Sequence, residues 1–319
     1  MRIHYLAHDT ERPTGGMVMI YAHVAALRRH GFDAVVVQER TGFRPRWFDA
    51  DVPILYGDRP LEVRAEDALV IPETHESGLR WAARRTARRI VFCQNHYYAA
   101  VLVDAVGDWR AFGVEQVLCS SRPIAEFVNT RFRWPAPVVV PCVVDPTRFL
   151  PRPKSLSVAF MPQKRPVEAA LIRLGLSERH PRHADVAFRR LERASQDEVS
   201  SALGEAAVFL SLAHHEGLGL AALEAMAAEA LVVGFHGGGG RDYASDANGS
   251  WAEDGEVDRC VDLLADALDR FKAGDPSVQA MRSAGRATVA RYSGAAMEEA
   301  LVGFWRAIAD RSSPASAVT

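Results

Sequence analysis

The 319-residue sequence is short of lysine, of cysteine and of net charge. Three of its 38 Lys and Arg residues are lysines: Lys154, Lys164 and Lys272. That scarcity weighs against chemistry built on a Schiff-base lysine, such as a pyridoxal-type phosphorylase. The formal charge is −2, so no basic excess points to nucleic acid and no acidic surplus to a basic partner. The four cysteines, Cys93, Cys119, Cys142 and Cys260, form no CxxC pair and no zinc-like Cys/His cluster. Three of them lie in or beside apolar runs, as buried free thiols do, which suits a reducing cytoplasm. No apolar run approaches the roughly 20 residues of a membrane span. The start, MRIHYLAHD, turns polar too soon for a signal peptide. A cytoplasmic protein is expected, with contact at the inner membrane face left open. Neither GxGxxG nor a GK[ST] phosphate loop occurs.

What is present is a regular alternation of strands and helices. Arg2–Ala7, Ala34–Val37, Val52–Leu55, Ala68–Ile71, Arg89–Cys93, Gln116–Cys119 and Pro137–Val140 read as strands. Helices are expected at Met17–His30, near Ser77–Arg88, near Tyr98–Ala111 and at Pro123–Thr130. Strands separated by helices imply βαβ units and a parallel sheet. The proline-rich, aperiodic Pro141–Pro153 reads as a linker. A second series follows, with strands at Ser157–Phe160, Val208–Ser211 and Leu231–Phe235. Its helices are Val167–Leu174, Gln196–Glu205, Leu220–Glu229, Glu256–Lys272, Asp275–Tyr292 and Ala295–Asp310. The expected architecture is α/β, with two doubly wound parallel-sheet domains facing a cleft. The divisions are residues 1–145, 146–293, a final helix 294–311 crossing back to the first domain, and a disordered tail 312–319. Ligands of such sheets bind beyond the carboxyl ends of the strands.

The chemistry concentrates between His215 and Gly240. The strand VFLSL leads to AHHEGLGLAALEAMAAEA, then to the strand LVVGF and four glycines. Gly217 and Gly219 let backbone approach an anion, and a helix start near Leu220 offers free amides to a phosphate. Glu216 precedes the helix and Glu224 lies eight residues on. Ionised carboxylates are strong acceptors for sugar and ribose hydroxyls. The run Gly237–Gly240 is expected to pass close to ligand or cleft. In the first half, Thr14-Gly15-Gly16 follows the first strand. Gln94, Asn95 and His96 follow the strand Arg89–Cys93, and Glu73 and His75 follow Ala68–Ile71. Two motifs carry less. Asp49-Ala50-Asp51 is formally a DxD metal motif but precedes an apolar run, as a turn does. His214 and His215, as neighbours on a strand end, should point apart. The Arg-rich Leu79–Ile90 is expected as one helix, with a solvated face or a face toward anionic lipid.

The E-x7-E spacing, in HEGLGLAALEAMA between two apolar strands, resembles the retaining GT-B glycosyltransferases of the GT4 type, over nearly the whole chain. The resemblance implies transfer of a sugar from a nucleotide-diphosphate sugar to an acceptor hydroxyl with retention, without metal or resident cofactor. It implies that Glu216 holds the transferred sugar and Glu224 the ribose. Gly217, Leu218, Gly219 and Leu220 would meet the diphosphate, with Gly238, Gly15 and Gly16 near the donor. Lys164 and Arg165 fall where that family places a lysine and an arginine, several positions apart, to neutralise the leaving group; here the two are adjacent, which leaves open which of them makes the contact. His96 would face the reacting sugar. Glu73, His75 and Asn95 would line the acceptor side, the acceptor being a sugar, a lipid-linked group, a natural product or a protein. A nucleotide-sugar epimerase on the same fold and a non-catalytic sugar-nucleotide binder remain the alternatives.

Overall fold

The computed structural model describes residues 1–48 and 51–312. The tail beyond residue 312 and the first two positions of the DxD triplet, Asp49 and Ala50, lie outside the described residues. The chain forms two compact units, Met1–Cys142 with Ala295–Thr319, and Val143–Gly294.

The first unit carries seven strands: β1 (Ile3–Leu6), β2 (Ala34–Gln38), β3 (Ile54–Tyr56), β4 (Ala68–Pro72), β5 (Arg88–Cys93), β6 (Gln116–Cys119) and β7 (Val138–Val139). They pair in parallel in the order β3-β2-β1-β4-β5-β6-β7. The order reverses between β1 and β4, where Ile3 meets Ala34 on one side and Ala68 on the other. Strands β1, β2 and β4 are buried throughout, as the mainly apolar strands of a sheet covered on both faces should be. Four helices connect the strands: α1 (Gly15–Arg29), α2 (Glu76–Ala82), α3 (His96–Val106) and α4 (Arg122–Arg131). Thr14 caps α1 by accepting the Met17 amide at 3.3 Å, so Gly15 and Gly16 form the first helical turn rather than a loop before it.

The second unit has five parallel strands: β8 (Ser155–Phe160), β9 (Ala187–Arg190), β10 (Ala206–Glu216), β11 (Leu231–Gly238) and β12 (Ser250–Ala252). Their order is β12-β11-β10-β8-β9. The helices are α5 (Pro166–Arg179), α6 (Gln196–Glu205), α7 (Leu220–Ala227), α8 (Val257–Ala273) and α9 (Pro276–Val289). A capping box starts α6, Ser195 accepting the Glu198 amide and Glu198 accepting the Ser195 amide. Val158, Phe160, Leu210, Val233 and Phe235 from the strands pack on Leu264 and Leu268 of α8. The last helix, α10 (Gly294–Ser312), belongs to the first unit. Its Trp305 and Leu301 are fully buried, and Glu298 meets Arg29 and, at 2.8 Å, the His30 ring.

Three expectations change. Strands β9 and β12 are additional, both short and edge-placed. The arginine-rich helix does not form. Helix α2 stops at Ala82, a tight turn follows, and Arg88 and Arg89 begin β5. The arginines are tied into the fold instead: Arg85 lies 3.5 Å from the Trp81 ring centre, and Arg89 donates to the Gly113 carbonyl at 2.8 Å. Lastly, β10 runs to Glu216 and β11 to Gly238, each several residues beyond its apolar stretch. Among the described residues no helix is long and apolar enough to cross a membrane.

Candidate functional site

Strand β10 is buried to Leu212 and then reaches the sheet edge with Ala213, His214, His215 and Glu216. Ala213 pairs with His236 and Glu216 with Gly238, so three steps on β10 match two on β11. The extra residue is a β-bulge, and His215 takes φ +50° within it. The bulge cancels the alternation of side chains. His214 and His215 therefore stack with ring centres 3.7 Å apart, contrary to the expectation that they diverge. It also aims Glu216 at its partner: the Lys164 ammonium is 2.8 Å from Glu216 Oε1, both groups part-exposed.

Lys164 ends a 3-10 turn, Pro162–Lys164, just past β8. Its neighbour Arg165 faces the other way. That guanidinium is buried, donates to the Ala213 carbonyl at 3.0 Å, to Glu168 at 3.0 Å and to Asp254 at 2.5 Å, and lies 4.6 Å from the Phe235 ring centre. All three guanidinium nitrogens are thus engaged with protein, and Arg165 fastens the ends of β8, β10 and β12 together.

After Glu216 comes Gly217-Leu218-Gly219. Gly219 has φ +88° and heads α7 with no side-chain cap, so the amides of the first turn keep their donor capacity. The Gly219 carbonyl accepts the Tyr243 hydroxyl at 2.7 Å. Glu224 stands in the second turn of α7. It keeps some exposure, yet protein encloses it closely enough for burial to push its carboxyl up to about 7, with the Arg148 charge opposing that rise. Tyr243 is buried, and burial raises its hydroxyl well above the ordinary range, with the charges of Glu216, Asp242 and Glu224 adding to the rise. Arg148 and Tyr243 carry no motif, and sequence reasoning missed them.

The glycine run has a cause in the packing of the backbone itself. Gly237 and Gly238 finish β11 with φ +63° and +83°, and Gly239 begins a 3-10 turn. A Cβ on Gly239 would fall 2.4 Å from the Gly217 carbonyl carbon and 2.5 Å from the Glu216 carbonyl oxygen; one on Gly237 would fall 2.7 Å from the Ala213 Cβ. The glycines are needed because this backbone presses on the end of β10, whatever ligand lies nearby. A Gly239→Ala variant should therefore displace Glu216 and Gly217 and reduce sugar transfer at least tenfold, although it alters no polar side chain. Steady-state kinetics alongside the melting temperature check this, and an unchanged kcat/KM would contradict it.

The first-unit candidates divide. Gln94 donates to the Gly16 carbonyl at 3.1 Å and joins the end of β5 to the first turn of α1. Asn95 caps α3, its Oδ1 accepting the amides of Tyr97 at 3.0 Å and Tyr98 at 3.4 Å. His96 opens α3, with its ring centre 4.1 Å from that of Tyr97 and 4.9 Å from that of Phe127. Glu73 is buried at the end of β4. Burial pushes its carboxyl up to about 7, against hydrogen bonds from the amides of Gln94, Glu73 and Asn95. His75 is buried and caps α2 by accepting the Gly78 amide at 3.1 Å.

Glu73 gives a stability prediction. Its folded value lies above the unfolded one, so its contribution is full below about pH 4.5 and is lost as the pH rises through about 7. The rise corresponds to at most about 3 kcal/mol. Glu73→Gln should leave the melting temperature unchanged near pH 4.5 and raise it by roughly 5 °C at pH 8. Calorimetry at the two pH values tests it.

Two parallel doubly wound units, with Glu216 and Glu224 following the carboxyl end of β10 in the second, have the architecture of the GT-B fold. Residues 186–288 match the family described as Glycosyl transferases group 1. An alpha-1,6-glucosyltransferase of Actinobacillus pleuropneumoniae serotype 7 (strain AP76) is 25% identical over 271 residues, 82% of each chain. Among solved structures, sucrose-phosphate synthase from Thermosynechococcus elongatus superposes with a TM-score of 0.71 at 13% identity, covering 98% of this chain and 100% of that one. Anabaena HepE, in complex with UDP and glucose, gives 0.71 at 12% identity, covering 96% and 100%. Over residues 186–288 the chain is similar to the group 1 glycosyl transferases, the GT4 type, and it is a nucleotide-sugar-dependent glycosyltransferase.

Proposed function

We propose that residues 143–294 bind a uridine-diphosphate hexose, with glucose as the sugar. Glu216 holds the sugar, Glu224 accepts the ribose hydroxyls, and the amides of Gly217 to Leu220 receive the diphosphate. Lys164 supplies the fixed positive charge for the leaving group. The observation that carries this reading is the Lys164 ammonium 2.8 Å from Glu216 at the end of β10, followed directly by the uncapped start of α7, with Glu224 in the second turn of that helix. Arg165 is assigned a positioning part, because its partners are already protein groups. The choice of uridine and glucose rests on the glucosyltransferase relative and on the UDP and glucose in HepE.

In the proposed reaction an acceptor hydroxyl oxygen attacks the anomeric carbon from the face that the diphosphate leaves. The bond from that carbon to the diphosphate oxygen breaks, UDP departs with the electron pair, and the acceptor proton passes to a departing phosphate oxygen. Charge builds on the diphosphate as the bond stretches, so preplaced cations and amides lower the barrier. Thermal shift and donor hydrolysis, measured across a panel of nucleotide sugars, test the reading. UDP-glucose should stabilise the chain most and release glucose slowly. If no nucleotide sugar shifts the melting temperature, the proposal fails.

A further inference from the structure

The first unit holds a second set of polar groups that the donor chemistry does not use. A cavity of about 250 Å³ opens at the carboxyl ends of β1, β2 and β4, beside the point where the strand order reverses. Its apolar part is Leu6, Val37 and the Trp81 indole; its polar part includes Glu39, Asp58 and His75, with Gln38 and Ser77 beside them. Each polar group is oriented by a neighbour. Glu39 Oε1 is 3.1 Å from His8 Nδ1 and 3.5 Å from His75 Nε2. Asp58 accepts the Thr41 amide at 2.8 Å and the Thr41 hydroxyl at 2.7 Å. No lysine or arginine lines the cavity.

His8, Glu39 and His75 bring their ligand atoms within 4.8 Å of one another, close enough for a metal ion. The hydrogen bonding argues otherwise. His75 Nδ1 already accepts the Gly78 amide, so the neutral ring carries its proton on Nε2 and has no lone pair to offer there. The rings of His8 and His75 are stacked 4.2 Å apart at 19°, which keeps their in-plane lone pairs side by side rather than convergent. The set behaves as a polar frame around Glu39, hydrogen-bonded through His8 and flanked by His75.

We propose that this cavity is a saccharide subsite: it takes an uncharged pyranose unit of the acceptor, whose hydroxyls donate to Glu39 and Asp58 and whose carbon face lies on the apolar wall. Two carboxylates face the cavity, and the neighbouring cation, Arg59, already donates to the Thr41 hydroxyl at 2.8 Å; this disfavours a phosphorylated group and suits hydroxyl donors. The volume suits one sugar ring. This identification of the acceptor class rests on the reading of the chain as a glycosyltransferase.

The test uses the full chain and two separate readouts. Saturation-transfer NMR is recorded without nucleotide, with glucose, galactose, mannose, N-acetylglucosamine, maltose and isomaltose as probes. The thermal shift with UDP-glucose is read on its own. At least one probe should bind, and Glu39→Gln and Asp58→Asn should each weaken that binding about tenfold while leaving the UDP-glucose shift unchanged. Both side chains are exposed, so both variants should fold. The subsite is overturned if no probe binds, if neither variant weakens binding, or if binding requires added zinc or nickel and is abolished by a chelator. A missing UDP-glucose shift, with sugar binding intact, overturns the donor assignment instead.

Discussion

A Glu224→Gln variant should melt at a higher temperature than the parent at pH 8 and yet lose most of the stabilisation that a nucleotide sugar gives. Both effects have one origin. Burial raises the Glu224 carboxyl to about 7, so its folded value exceeds the unfolded one. The associated stability is complete below about pH 4.5 and is lost as the pH rises through about 7. Because the carboxylate retains some exposure, the cost above pH 7 is taken as about 1–3 kcal/mol, less than a fully enclosed group would carry. Glutamine removes that cost, and the gain should be absent at pH 5. On the proposed assignment the same cost is offset in the complex, where ribose hydroxyls donate to the ionised group. Glutamine also accepts, but without charge, and losing charge-assisted bonds costs roughly 1.5–3 kcal/mol, or ten- to hundredfold in affinity. Parent affinity should therefore climb between pH 6 and pH 8, and binding at pH 6 should release a proton into the buffer. Calorimetry on both proteins, with and without UDP-glucose, decides the matter. A variant that is less stable at pH 8, or that still binds as the parent does, would show that Glu224 is a structural residue.

The parts of this molecule that could be read from sequence are those governed by local rules. Apolar runs such as AVVV and LVVGF mark buried parallel strands because burial on both faces leaves no polar alternation. E-x7-E could be read because a strand end, two glycines and a helix start are contiguous. The bulge in β10 could not. Ala213 to Glu216 look like loop residues, and pairing with β11 is what extends the strand and gives His215 its positive φ. The Arg-rich segment misled for a related reason. Its helical spacing is real, but β5 must start at Arg88 to pair with Ala68, and that non-local pairing overrides the local preference. The cavity around Glu39 was hidden further still. His8, Glu39 and His75 are separated by more than 30 residues each and meet only because β1, β2 and β4 are neighbours in the sheet.

Lys164 and Arg165 pose the question that sequence left open, and their variants should fail in opposite ways. Lys164→Ala removes a part-exposed ion pair to Glu216, and such pairs contribute about 0–1 kcal/mol. Its melting temperature should stay within about 2 °C of the parent. Its kcat should fall on the order of a hundredfold or more, because the charge acts on a leaving group that becomes more anionic in the transition state. Arg165→Ala instead leaves the Ala213 carbonyl and the carboxylates of Glu168 and Asp254 without their donor and empties a place over Phe235. It should cost about 3–5 kcal/mol of stability, and the second unit should unfold early. Glu216→Gln should resemble Lys164→Ala in its stability and its kinetics. The double variant, Lys164→Ala with Glu216→Gln, should lose little more than either single one, because each residue places the other. Two independent losses that multiply would mean that the ion pair is incidental and that each group meets the donor alone. A large kinetic loss in Arg165→Lys at unchanged stability would return the leaving-group role to Arg165. The geometry favours Lys164 because its ammonium pairs, among the described residues, with Glu216, whose carboxylate would turn to the sugar when the donor enters and leave the charge to the diphosphate.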